Sequence, residues 1–234
     1  MHGRIELIPI VGIGEVRPGD DLAAILGDAV EAGPDLVDGD VVVVTHKVVS
    51  KAEGAVADVG PGPDAHRSVV ESEAVDVIRR RGDLVIARTR HGFICANAGV
   101  DRSNVEAGRV VLLPRDPDRS AHRIRLRLEQ RFGVAVAVVV TDTFGRPWRR
   151  GLVDVAIGMS GLAAVDDHRG RTDTHGNTLD VTEVAIVDEL AAAADLVMGK
   201  ATGVPAAIVR GLTVPAGDGR VADLVRPADE DLFR

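Results

Sequence analysis

The chain has 234 residues, 45% of them hydrophobic, enough to fill a core without disulfide or metal staples. Its formal net charge of −8 and its 2% aromatic content with no tyrosine exclude a broad basic surface for nucleic acid and a base-stacking platform. A lone Cys95 excludes an internal disulfide, the apolar runs at 41–44 and 134–140 fall far short of the roughly 20 residues of a membrane span, and the N-terminus lacks the basic-then-apolar layout of a signal peptide, so a soluble cytoplasmic protein is expected, with neither nucleic-acid nor membrane partners.

In chain order, "RIELIPIV" at 4–11 alternates like a strand, and a loop from Gly12 to Gly19 leads to Asp20, which suits the N-cap of a helix reaching Ala32. "GDVVVVT" reads as a buried strand running into "HKVVSK". After the Gly/Pro-rich loop "DVGPGPDA", a helix is expected from His66 to Arg81, with Arg79, Arg80 and Arg81 at the negative end of its dipole. "DLVIARTRHGFICANAGVDRSNV" holds a strand, a polar turn and a second short apolar stretch, and "GRVVLLP" is another strand. The segment 118–132 has helical spacing and stops at Gly133, after which "VAVAVVVT" returns to strand. Beyond it come "GLVDVAIGMSGL", a polar loop "DDHRGRTDTHGN", a helix over 181–198, the strand "VPAAIVRG" and a polar tail. Strands alternating with helices predict an α/β or α+β protein with mixed sheets, one domain over 1–234 with a second, smaller lobe around 145–200.

Two nucleotide signatures fail on inspection. "GIGEVR" starts like a dinucleotide-binding loop, but Arg17 stands at the third glycine and no helix follows directly; "MGKATG" carries Ala201 where a phosphate-binding P-loop needs a hydroxyl. Three other groups carry more chemistry. Asp101 and Asp142 each follow an apolar segment beside hydroxyls or an amide: Ser103 and Asn104 for one, Thr141 and Thr143 for the other. Such hard oxygens suit magnesium or manganese completed by water and substrate phosphate, although each carboxylate could equally cap a turn. Lys47 and Lys51, four apart, would share a helix face and could contact successive phosphates, or form a solvated pair. "GRPWRRG" offers Arg146, Arg149 and Arg150 as a clamp for carboxylate or phosphate, or an ordinary surface loop over a half-buried Trp148.

Taken together, "THKVVSKAEG", "RHGFICANAGVDRSNV", "VVVTDTFGRPWRRG", "VTEVAIVDELAAAADLVMG" and "PAAIVRG" occur in the order and at about the spacing of the coenzyme F420:L-glutamate ligase family, which the chain resembles over nearly its whole length. The resemblance implies a GTP-dependent ligase that joins L-glutamate to the deazaflavin F420 precursor through an amide and then adds γ-linked glutamates. It further implies two divalent-metal sites for Mg2+ or Mn2+, a stimulatory K+ and a homodimer. By position in the motifs, Asp101 and Asp142 would hold the first metal and Thr143 would contact the second, with Arg146 beside them for anionic substrate. Lys51, Asn104 and the loop Ile13, Gly14, Glu15 and Val16 would bind GTP, together with His46. The loop Met198, Gly199, Lys200, Ala201, Thr202, Gly203, Val204 and Pro205 would close over the nucleotide. The chain departs from the family pattern at His46, where serine is usual, at Gly14, where proline is usual, and at Lys200, where some relatives carry an acidic or amide side chain near the second metal. A metal-dependent phosphohydrolase and a non-catalytic nucleotide- or deazaflavin-binding module remain the alternatives.

Overall fold

The computed structural model describes residues 3–62 and 64–232, so Pro63 of the Gly/Pro-rich loop lies outside the described residues. The chain runs β1 (Glu6–Ile10), α1 (Leu22–Glu31), β2 (Val41–Thr45), α2 (His46–Ala52), β3 (Val56–Asp58), α3 (Ala65–Glu73), β4 (Ala74–Arg81), β5 (Leu84–Thr89) and β6 (Ile94–Ala96). It continues through β7 (Arg109–Val111), α4 (Pro117–Phe132), β8 (Ala137–Arg146), β9 (Arg149–Ser160), β10 (Asp166–Asp167), β11 (Glu183–Val184), α5 (Ile186–Met198) and β12 (Ala206–Arg210).

Five strands build the central sheet in the order β1-β12-β2-β8-β9. Only β2 and β8 run parallel; the other neighbours are antiparallel. Val41, Val42, Val43 and Val44 are fully buried, as are Val138, Val139 and Val140, because helices cover both faces and leave no solvated side to alternate toward. The covering layers are α4, lying on β8 and β9 with α1 packed against it, and α5, lying on β9 and β12. Mixed sheets with helices thus agree with the expected α/β (α+β) class. α4 begins at the N-cap Asp116, with Pro117 in its first turn, and ends on Gly133 in the left-handed conformation.

Three expectations are corrected. The helix read from His66 to Arg81 stops at Glu73, and Ala74–Arg81 forms β4, paired antiparallel with β5. The last long helix starts at Ile186 rather than Val181, since Glu183–Val184 pairs with β10. Asp21, not Asp20, caps α1 by accepting from the N–H of Ala24, while Asp20 accepts from the N–H of Arg17. A second apolar cluster does exist, but Val70, Val85, Ala87, Ala98, Val100 and Val110 form it. It therefore lies before residue 111, whereas β9 and α5, from the 145–200 stretch, pack into the main core.

Candidate functional site

Register brings four chain ends to one edge of the sheet. Thr45, the last residue of β2, pairs with Thr141 of the parallel β8, so α2 and the Asp142–Thr143 dipeptide both emerge there. Antiparallel β12 begins beside Val44, with Thr45 N–H donating to Pro205 O at 2.9 Å, and β1 ends beside Ala206. The 12–16 and 198–205 loops consequently flank the ends of the parallel pair, the place where open α/β sheets hold ligands. A cleft of about 570 Å³ opens there, lined by Glu15, Lys47, Lys51, Asn104, Thr143 and Lys200 among others.

The two strands diverge in character at a β-bulge. Val140 pairs with Gly158 but Thr141 pairs with Ala156, so Ile157 is the extra residue. Bulges re-aim side chains next to sites. Here the bulge is pinned by helix α5, whose first-turn Asp188 accepts from the freed N–H of Ala156 at 2.9 Å. Beyond it, Asp142 turns to meet His46: Nε2 lies 3.2 Å from Oδ1 without the alignment of a hydrogen bond. Burial pulls the Asp142 carboxyl upward, but the charge and contact of His46, the Thr143 N–H and the Lys47 ammonium outweigh it and hold it below the usual carboxylate range. Asp101 shows the same balance. Burial is overcome by Lys47, whose Nζ is 2.8 Å from Oδ2, and by Ser103, whose N–H and hydroxyl donate at 2.7 and 2.9 Å.

Both lysines of α2 project into the cleft as their four-residue spacing implies: Lys47 toward Asp101 and Lys51 toward Glu15, 2.6 Å away. Asn104 reaches the same cleft from a left-handed backbone turn, φ 58°. Ile13, Gly14, Glu15, Met198, Gly199, Lys200, Ala201, Gly203, Val204 and Pro205 line it too.

Asp101 and Asp142 do not themselves line this cleft and connect to it through Lys47, and four further expected residues are not gathered there. His46 is fully buried behind Asp142, with Nδ1 3.3 Å from Ser50 Oγ, so it supports the carboxylate instead of facing the cleft. Val16 is a core side chain beneath its loop. Thr202 turns inward to the backbone of Met198 and Val204. Arg146 sits at the tip of the β8–β9 hairpin, where it donates to Arg150 O at 2.6 Å. Trp148 at the same tip is exposed rather than half-buried.

Two carboxylates were missed by sequence reasoning. Asp154 of β9, 4% exposed, accepts from Thr141 Oγ1 at 3.2 Å, Thr143 Oγ1 at 2.6 Å and Lys200 Nζ at 2.7 Å. Asp195 of α5 takes a further contact from Lys200 at 2.8 Å. The available signal was an aspartate inside the apolar strand "LVDVAIGM", since a carboxylate buried there needs a partner.

Among the described residues no three His, Cys, Asp or Glu side chains converge as a metal cage. That suits a magnesium-type ion, which takes one or two carboxylates and completes its shell with water and phosphate. Asp101 and Asp142, both held ionised and both flanking Lys47, fit such an ion. The surroundings of Thr143 do not fit a second one, because the ammonium of Lys200 already occupies them: its Nζ is 2.7 Å from Thr143 Oγ1.

Fold and cleft together define a mixed α/β protein with lysines and an asparagine in a cleft at the ends of its parallel strands, and with aspartates held by Lys47 and His46 beside it. The chain belongs to the F420-0:gamma-glutamyl ligase family, which it matches over residues 11–211. A protein of Methanothermobacter thermautotrophicus named coenzyme F420:L-glutamate ligase is 45% identical to it over 251 aligned positions, covering 98% of this chain and 99% of that protein. Proteins of the same name from Methanopyrus kandleri and Methanocaldococcus jannaschii are 43% and 42% identical, covering 99% and 84% of this chain and 97% and 85% of theirs.

Proposed function

We propose that the protein is a ligase of coenzyme F420 biosynthesis that uses GTP to join L-glutamate to the deazaflavin precursor through an amide, then adds γ-linked glutamates. Family membership and the shared name of the relatives support the ligase chemistry. The observation that carries the assignment to this cleft is that Lys47, Lys51 and Asn104 line it together, with Lys47 reaching back to Asp101 and acting on the Asp142 charge beside the end of the parallel pair.

Amide formation from a carboxylate needs a leaving group. A carboxylate oxygen of the precursor attacks the γ-phosphorus of GTP, the bond from that phosphorus to the β,γ-bridging oxygen breaks, and GDP departs, leaving an acyl phosphate. The glutamate amine attacks the acyl carbon, inorganic phosphate leaves, and the proton lost from nitrogen passes to water. No side-chain nucleophile is needed. Cys95, the single thiol, is unsuited to such a role, because burial, with help from the nearby Asp142 charge, pushes it up to about 12.

The work left to the protein is to neutralise and align phosphate oxygens. Lys51, itself buried, can exchange Glu15, whose side chain is 69% exposed, for phosphate, because the carboxylate can turn to water while the ammonium gains a new anionic partner. Lys47, with one partner on Asp101, is placed for the same exchange. A divalent ion held by Asp101 and Asp142 supplies further charge neutralisation when bound.

GDP release provides the test. It should require both precursor and glutamate, and Lys51→Ala should weaken GTP binding by about 10- to 100-fold, the loss of one charge-assisted hydrogen bond. GTP hydrolysis at the same rate without precursor and glutamate would favour a phosphohydrolase, and unchanged GTP affinity in Lys51→Ala would leave that lysine as a partner of Glu15 alone.

A further inference from the structure

Lys200 is held by three oxygens at once. Its Nζ lies 2.7 Å from Thr143 Oγ1, 2.7 Å from Asp154 Oδ1 and 2.8 Å from Asp195 Oδ1. Two carboxylates and a hydroxyl form a donor set of the kind that holds a hard divalent cation, and here an ammonium fills it. Lys47 differs, since its close contact is with Asp101, while the nearest basic side chain to Asp142 is His46 and Lys47 acts on it only at longer range.

The set demands a cation whether or not substrate is present. Asp154 is buried in the sheet, and its two threonine partners neutralise none of its charge. Asp195 lies in the last turn of α5, where the exposed carbonyls already make the helix end negative. Chain geometry is built to return a cation to this point. Gly199, directly after α5, has φ 60° and ψ 178°, a conformation essentially restricted to glycine. A Cβ there would stand 2.9 Å from Thr202 Cγ2. That turn swings residue 200 back over the helix end and onto Asp154.

We propose that the Lys200 ammonium is a resident cation in the Thr143–Asp154–Asp195 set and keeps a second divalent ion out of the cleft, so that a single divalent ion binds, at Asp101 and Asp142. A divalent ion on Asp154 would sit against an ammonium sharing the same oxygen, and one of the two must leave. The lysine, tethered by the chain, does not have to be captured from solution. The inference rests on the cleft being the metal-dependent site described above, and Lys200 acts in it as a positioning residue for the hydroxyl of Thr143.

Counting bound Mn2+ by electron paramagnetic resonance titration, with GTP present, tests it. The parent and Lys200→Arg should bind the same number of ions per chain, and Lys200→Gln should bind one more. Adding Asp154→Asn to Lys200→Gln should abolish the extra ion. In melts without GTP, Mn2+ should raise the melting temperature of Lys200→Gln more than that of the parent, which keeps the test usable if this variant is unstable without metal. Equal ion counts in parent and Lys200→Gln, with no larger Mn2+ shift in the melts, would overturn the proposal. Asp142→Asn in the parent background separates the two claims: an unchanged ion count there overturns the Asp101–Asp142 site, while the Lys200→Gln comparison still judges Lys200.

Discussion

Asp142 occupies the first position past Thr141, the fully buried end of the β8 core, and its partners there make its two possible roles separable. In the metal-free protein its charge is compensated by His46 and Lys47, so Asp142→Asn, which removes that charge contact, should lower metal-free stability by about 1 kcal/mol. A turn residue would behave similarly. The difference lies in the ligand: stabilisation by Mn2+ plus GTP follows from binding to the native state, and the variant should lose most of that shift. Thermal melts with and without Mn2+ and GTP decide it, and a ligand-induced shift of parental size in Asp142→Asn would contradict the metal role. Acid titration reports on the same carboxylates. Asp101 and Asp142 have depressed folded values, so their stabilisation is full above the ordinary carboxylate value of about 4 and lost as pH falls through their lower folded values. Asp118 and Asp188 are raised by burial, so their protonation just above that range favours the folded state. Urea midpoints should therefore hold or rise slightly between about pH 6 and 4 and fall below it, and Asp142→Asn should shrink the fall. An undiminished acid loss in that variant would remove Asp142 from the account. Asp101, Asp142, Lys47 and Lys51 were legible because each follows an apolar run or repeats at helical spacing. Asp154 was not, because its partners Thr143 and Lys200 lie 11 and 46 residues away.

Elements position the site through β9. First-turn aspartates of two helices grip its backbone: Asp188 of α5 accepts from Ala156 N–H, and Asp118 of α4 accepts from Met159 N–H, both at 2.9 Å. Between them Gly158 lets α4 approach closely, since a Cβ there would stand 2.5 and 2.6 Å from the carbonyl carbon and oxygen of Pro117. Backbone cannot yield as a side-chain tip does, so Gly158→Ala should cost about 1–3 kcal/mol by overpacking. A denaturant midpoint equal to the parent's would show that α4 and β9 are not held at this spacing. The misread element also has a physical cause. The three arginines at 79–81 suggested a helix C-terminus, yet Gly82 and Asp83 form a two-residue hairpin loop, with Arg81 opposite Leu84 and Gly82 at φ 58°. A Gly-X pair between β-compatible runs is a hairpin signal, and cross-strand pairing of Asp76 with Arg88 outweighs the weak dipole argument. The start of α5 was misplaced for a similar reason: Glu183 and Val184 join a two-stranded ribbon with Asp166 and Asp167, a pairing too short to leave a periodic trace.

At the scale of the whole molecule, strand direction decides where chemistry can occur. One parallel pair in an otherwise antiparallel sheet sends α2 and the Asp142 segment out of the same edge, and β1 and β12 bring their loops to meet them. Local pattern fixed most strands and helices, but this convergence depends on sheet order, which periodicity does not encode; ordered motifs supplied it through family resemblance. The central claim is that the assembled edge makes an amide, not merely a nucleotide complex. Mass spectrometry of the deazaflavin after incubation of the protein with F420 precursor, L-glutamate, GTP and Mn2+ tests it most directly. The product should be heavier by one or more glutamyl residues, with one GDP formed per glutamate added and none of this product from Asp142→Asn; a deazaflavin of unchanged mass while GTP is consumed would rule amide synthesis out.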